Sequence, residues 1–280
     1  MQHGAGPFVH TLPDGQAVAL GRTRSSVLDD PRTQRFRLAR FLDRLALPAL
    51  ADRVLPPEAF APRMFRNDVL GDCTIVGEAN AVLLDAAANG TAPPPISDDD
   101  VVARYSRVCG YVPGNTATDR GGIELDVLND WRHDPFNGVT LVAYAIVDIH
   151  DLELLRYAVQ LFRKVYVGAA LPSSAQRQIG GLWDTVPGMV PGSWGGHCFL
   201  IAGYDWTLPV PELLDVTWGR KDQRMTEAWW RACGDEAYVP LTDQALSVPG
   251  VDRDAILAQL ARLGPVQAVA PHFRSGQERP

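Results

Sequence analysis

The 280-residue sequence predicts an α+β chain with a helical first half and a strand-rich second half. Three observations carry this. From Cys73, the residues Ile75, Val76, Ala79, Val82, Leu83 and Ala86 keep one apolar helical face until Asn89-Gly90 stops it. After Pro135-Phe136-Asn137-Gly138 the helical spacing gives way to apolar runs such as 139–147, which carries no charge before Asp148. A second charge-free run, 165–171, has the length of a buried strand.

In chain order, residues 1–28 are rich in Gly, Pro, Thr and Ser without periodicity, and read as an extended or partly disordered arm. Asp30-Pro31 has the form of a helix cap followed by proline at the first helical position, with Leu38, Phe41, Leu42 and Leu45 on one face and Arg37, Arg40 and Arg44 on the other. Pro48 and Pro56-Pro57 close that region. After the helix at Cys73, Ser97 with Asp98, Asp99 and Asp100 predicts a capped second helix through Tyr105. A Gly/Asn/Thr-rich loop spans 110–122, and a third helix runs from Ile123 to Trp131. In the second half, Leu155, Ala158, Val159 and Phe162 mark one helix and residues 226–233 another. Strands are expected at 198–205, 213–218 and 237–241, as parts of an antiparallel sheet. Residues 251–263 are amphipathic, and 264–280 read as a tail. The expected division is 1–54 as N-terminal arm and helix, 55–245 as the main domain, and 246–280 as C-terminal helix and tail.

Composition narrows the function classes. The 46% hydrophobic and 21% charged content is that of an ordinary globular protein. Ten Arg against six acidic residues make the first 66 residues basic, yet the whole chain carries −7, the wrong sign for nucleic-acid binding. Cys73, Cys109, Cys198 and Cys233 form no CxxC pair and no His/Cys cluster, so neither metal nor cofactor is expected. The start lacks the features of a secretory signal and no run has the length of a membrane span, so the expected compartment is cytoplasmic, without a membrane partner.

The chemistry concentrates at two stretches. Asn67-Asp68-Val69-Leu70-Gly71-Asp72-Cys73-Thr74 puts a thiol at a helix start, where the helix dipole favours a thiolate. Gly195-Gly196-His197-Cys198 puts an imidazole at the mouth of an apolar strand, a candidate base and acid for that thiol. The side-chain amide of Asn67 and the N–H of Cys73 are suitable donors for a developing oxyanion.

These residues resemble those of the papain-like cysteine peptidases. That family has a Gln six residues before the nucleophile, where this chain has Asn67, and a His before an apolar strand ending in Gly-Tyr, here His197 through Gly203-Tyr204. Trp218-Gly219 resembles the family's Trp-Gly pair near the histidine, and Gly121-Gly122 its paired glycines beside the cleft. The combination of Asn-Asp-x-x-Gly-Asp-Cys, Gly-Gly-His and Thr-Trp-Gly looks similar to papain-like proteins of bacteria and their phages. The resemblance covers residues 55–241. It implies a helical lobe and a sheet lobe with the site in the cleft between them, and hydrolysis of a peptide or isopeptide bond through a thioester. Cys73 would be nucleophile, His197 base and acid, and Asn67 oxyanion donor. Gly121, Gly122, Gly195, Gly196 and Trp218 would line the place of a peptide or protein substrate.

Three positions depart from the family. Val216 stands where an Asn orients the histidine, leaving Asp215 or Thr217, both on the opposite strand face, to take that role. Asp72 places a carboxylate beside the nucleophile, and Thr74 replaces a Trp. The alternative these departures support is a papain-like fold retained as a binding or structural module of a phage or secretion particle. The basic first segment raises one more expectation, a pro-segment crossing the cleft, against an arm packed away from it.

Overall fold

The computed structural model describes residues 8–12, 14–25, 37–40, 47–245, 254 and 258. Its centre is helix α1 (Cys73–Ala88), buried from Cys73 through Ala86 on all sides. Such a helix must satisfy its own polar side chains, because a buried polar group without a partner is costly. Glu78 takes a bidentate bond from Arg104, with Nε–Oε2 at 3.1 Å and Nη2–Oε1 at 2.6 Å. Asp85 pairs with the buried Lys164, and Asn80 bonds the backbone of Arg63.

Two further helices complete this lobe. Helix α2 (Asp98–Cys109) opens on a full capping box between Ser97 and Asp100 and ends at Gly110, whose φ of +75° suits a residue without Cβ. Helix α3 (Glu124–His133) supplies Asp130, and its C-cap residue Asp134, to the same Arg104, so one guanidinium ties all three helices.

The second lobe is an eight-stranded sheet. Its strands are β3 (Arg53–Val54), β4 (Leu141–Ile146), β5 (Val165–Leu171), β6 (Leu182–Trp183), β7 (Gly195–Asp205), β8 (Glu212–Thr217), β9 (Arg220–Thr226) and β10 (Gly234–Thr242). They lie in the order β4-β10-β5-β7-β8-β9-β6, with β3 on β7, and every pair is antiparallel except β6 with β9. Alternation along β7 splits the core. Cys198, Leu200 and Ala202 face α1, whereas Phe199 and Ile201 face the cluster containing Leu155, Ala158 and Val159 of α4 (Leu152–Phe162). The short α5 (Glu227–Cys233), capped by Thr226, covers the same second face.

Several expectations change. Residues 8–25 are not a structureless arm: β1 (Phe8–Thr11) and β2 (Ala17–Leu20) form an antiparallel hairpin, and the chain then continues extended. Strand β9, Arg-Lys-Asp-Gln-Arg-Met-Thr, escapes an apolar-run criterion because its exposed half is charged. Of the helix expected after Pro31, only 37–40 are described, with Leu38–Arg40 as a 3-10 turn. The amphipathic segment 251–263 lies outside the described residues except Asp254 and Ala258, both helical and exposed, and the tail lies outside them altogether. Among the described residues no helix is long and apolar enough to cross a membrane.

Candidate active site

Cys73 is the first residue of α1, and its thiol is fully enclosed. Backbone N–H groups of Cys198 and Gly21 reach its sulfur. The first belongs to the residue after His197, so packing of α1 on β7 brings the thiol and the imidazole stretch together. Burial pushes the thiol up to about 12, against those two N–H groups, and the carboxyls of Asp72 and Glu124 raise it further.

His197 sits at the start of β7 with its Nε2 2.7 Å from Thr217 Oγ1. Nδ1 has no hydrogen-bond partner among the described residues. With the proton on Nε2, the bond runs from Nε2–H to the threonine oxygen and Nδ1 remains basic. Burial, then the positive charge of Arg22, lowers the imidazole to about 3. Both groups are therefore neutral in this state.

Thr217, and not Asp215, meets the ring. Asp215 is wholly buried, neither of its oxygens has a hydrogen-bond partner among the described residues, and burial holds its carboxyl well above the usual range. It shares a strand face with Thr217 but lies two residues further from the turn, opposite Ile201 rather than His197. Val216 faces α1 in the apolar cluster with Leu200, which is why it cannot orient the histidine.

The turn after β8 explains the next residue. Trp218 and Gly219 both have positive φ, +46° and +70°, as a two-residue hairpin of primed type needs, and Thr217 pairs directly with Arg220. The unusual tryptophan backbone seats its ring on His197, with centroids 4.2 Å apart and planes within 16°. The same indole donates its Nε1–H to the carbonyl of Ala19 at 3.2 Å.

Asn67 is buried in the turn before α1. Its Nδ2 donates to Leu70 O at 3.0 Å, within its own turn, and to Ala19 O at 3.2 Å. Asp72 is enclosed below it, and burial together with the Asp119 charge holds its carboxyl well above the ordinary range. Its charge, where present, is among the influences that raise the Cys73 thiol. Thr74, where the family has a Trp, faces Gly122 and Cys109, since a Cβ on Gly122 would fall 2.4 Å from the threonine Oγ1 and 2.8 Å from the cysteine sulfur.

The expected substrate-lining residues all touch one stretch of the chain itself. Beyond β2, residues 21–25 run through the cleft as a strap. Gly122 N–H donates to Gly21 O at 2.7 Å and Thr23 N–H to Gly122 O at 2.9 Å, in parallel register, while Arg22 N–H donates to Gly196 O at 3.2 Å. Any Cβ on Gly121 or Gly196 would collide with the strap backbone at 1.8 and 2.3 Å, and one on Gly195 would meet Leu20. The strap's Gly21 presses equally close, since its own Cβ would fall 2.0 Å from Gly71 O. Sequence reasoning missed Gly21, Arg22 and their contacts; the trace it left is a set of glycines at 21, 71 and 122, none of them at positive φ, that close backbone approach explains.

Arg22 turns its side chain into the protein. Its guanidinium pairs with Glu236, with Asp235 at 2.6 and 2.8 Å, and at 3.6 Å with Glu124. Burial works against its charge, and the carboxylates outweigh it, so its proton is held more tightly than usual.

No protein-family model matches the chain, and no curated protein matches it either. Solved structures do match. A cysteine protease from Xylella fastidiosa, xylellain, superposes with TM-score 0.53 at 16% identity over 68% of this chain and 86% of its own. Digestive procathepsin L 3 of Tenebrio molitor larval midgut gives 0.52 at 17% identity over 74% of each chain. Procathepsin B S9 of Trypanosoma congolense gives 0.54 at 11% identity over 80% of this chain and 86% of its own. At such identities the likeness speaks for architecture, and with the helical lobe, the antiparallel sheet and the cleft between them it identifies the fold of this chain as that of the papain-like cysteine proteases.

Proposed function

We propose that the chain is a cysteine peptidase, held in a self-blocked state, that cleaves peptide or isopeptide bonds. The observation that carries this is the imidazole of His197, anchored through Nε2 to Thr217 with Nδ1 unoccupied, beside an amide that reaches the sulfur of Cys73. Nδ1 takes the thiol proton as sulfur attacks the carbonyl carbon. The oxyanion is received by Asn67 Nδ2 and the Cys73 N–H at the start of α1. The imidazolium then gives its proton to the leaving amine, and water, deprotonated by the same nitrogen, releases the acyl group from the thioester.

The strap suits a blocker better than a substrate. Asn67 holds the carbonyl of Ala19, whereas the sulfur faces the N–H of Gly21, so donor and nucleophile engage different residues and no strap carbonyl is poised for attack. The segment before residue 55 is on this view an inhibitory element. The reaction needs the strap to leave, which returns water to the thiol and imidazole and removes the Arg22 charge from His197.

Gly21→Val tests this in the full-length chain, because the added side chain has no room against Gly71. Iodoacetamide near pH 6 is expected to label Cys73 slowly in the native chain, and in the variant faster than Cys109, Cys198 or Cys233. Thiol-dependent hydrolysis of a fluorogenic casein should appear with the variant and vanish with an added Cys73→Ala. A variant with neither rapid labelling nor hydrolysis would leave a binding module of papain-like fold.

A further inference from the structure

The carboxyl groups around Arg22 all come from the body of the protein. Glu124 opens α3, Asp235 and Glu236 lie on β10, and Gly168 on β5 forms the wall. A Cβ at Gly168 would lie 2.3 Å from the guanidinium carbon, so only glycine leaves room for that planar group. Tyr238 OH fixes Glu236 Oε2 at 2.7 Å, and Ser25 N–H meets its other oxygen at 2.6 Å. The fully buried carboxyl of Glu124 is engaged by the 3.6 Å ion pair with Arg22 and by the Cys198 thiol, and burial holds it well above the usual carboxylate range against the pull of Arg22. Three carboxylates thus converge on a single cation that arrives from outside the pocket.

The main chain on either side of that cation is held as a ligand's would be. Gly122 pairs with it through both N–H and C=O, and Gly196 O accepts from Arg22 itself. The pocket opens one residue along from Gly21, whose N–H favours the charged form of the Cys73 thiol.

From this arrangement we propose that the Glu124–Asp235–Glu236 pocket is a recognition subsite for the guanidinium of an arginine-bearing peptide, and that Arg22 occupies it as an internal competitor. The inference rests on the peptidase reading for the cleavage step after binding. Its recognition chemistry is independent of that reading: a planar cation with donors on two edges matches carboxylates set around it, while a lysine ammonium offers no such fork. A neutral side chain there would take the cation away from Asp235 and a donor away from Glu236 and Glu124, which disfavours it.

The test has two arms. In Arg22→Ala the pocket is vacated, and millimolar ethylguanidinium is expected to raise the thermal midpoint saturably, whereas its neutral isostere ethylurea does not. The native chain carries the same arm without a folding risk, since ethylguanidinium should displace Arg22 and speed the iodoacetamide labelling of Cys73, again with no effect of ethylurea. In the second arm, Gly21→Val is given coumarin amides bearing arginine or citrulline at each of three positions before the bond. One position should show at least about a tenfold preference for arginine, shrinking when Glu236→Gln is added. Equal cleavage of the two series overturns the pocket assignment and leaves the peptidase reading standing. Ethylguanidinium binding with no hydrolysis and an unreactive Cys73 does the reverse. If neither ethylguanidinium nor ethylurea alters midpoint or labelling, the Arg22 cluster is a structural latch only, and the proposal fails.

Discussion

Two buried arginines, each among three carboxylates, do opposite work. Arg104 on α2 reaches Glu78 on α1, Asp130 on α3 and Asp134 at the C-cap of α3, all within one lobe and close in sequence. Arg22 comes from a strap and reaches Glu124, Asp235 and Glu236 at positions far along the chain. The first network cannot open without separating helices that share an apolar core. On the proposed self-blocked reading, the second would open by sliding one extended segment out of a cleft, after which water could reach the carboxylates. Similar charge sets would then give a fixed joint in one place and a removable bolt in the other.

The largest expected effect breaks the comparison most directly. Arg104→Ala leaves Glu78 buried without its cation and should cost about 3–5 kcal/mol in urea denaturation. Arg22→Ala should cost clearly less while speeding Cys73 labelling. Equal losses would mean that the strap is as integral as the helices. Next comes the imidazole. His197 stays neutral in the fold down to about pH 3, although the unfolded chain takes up that proton near 6.5. Its contribution to stability is therefore full above 6.5 and is lost as pH falls from there toward 3. NMR of the ring should show no titration above pH 4 in the native chain and a return toward neutrality in Gly21→Val, where burial and the Arg22 charge are both relieved.

A smaller effect sharpens the role of the threonine. Thr217→Val in the Gly21→Val chain removes the hydroxyl from Nε2 and should lower kcat by about tenfold, one hydrogen bond's worth, with KM little changed. Thr217→Ser should restore it. The smallest concerns Glu78, which burial raises to about 7 against the pull of Arg104. Between 4.5 and about 7 the folded chain keeps a proton that the unfolded chain has shed, so stability declines as pH rises through that window. Glu78→Gln should flatten this part of the thermal midpoint profile.

Much of the scaffold was legible because its signals are local. The apolar face from Ile75 to Ala86, the Ser97–Asp100 box and the charge-free run at 165–171 each specify an element from neighbours in sequence. Cys73, His197 and Asn67 could be picked out for the same reason, as each sits beside a helix start or strand mouth. Choosing Thr217 over Asp215 could not be done from alternation, which puts both on one face; it took the tight turn at Trp218-Gly219 to carry one of them to the ring. The charged β9 was illegible because packing on β8, not an apolar run, makes it a strand. Least legible was the strap: its backbone bonds to Gly122 and Gly196 and its ion pairs to β10 are all long-range, and Arg22 in isolation looks like any solvated arginine.

If Gly21 and Arg22 block the cleft as proposed, their covalent connection to it means that dilution would not weaken the block. On that reading a competing peptide would face a tethered rival whose effective concentration is set by the intervening chain and not by how little protein is present. Severing that link anywhere between Ser25 and Arg53 would convert the same contacts into an ordinary two-body association, and the block would then fade on dilution. Control of such a chain would lie in its connectivity as much as in its contacts.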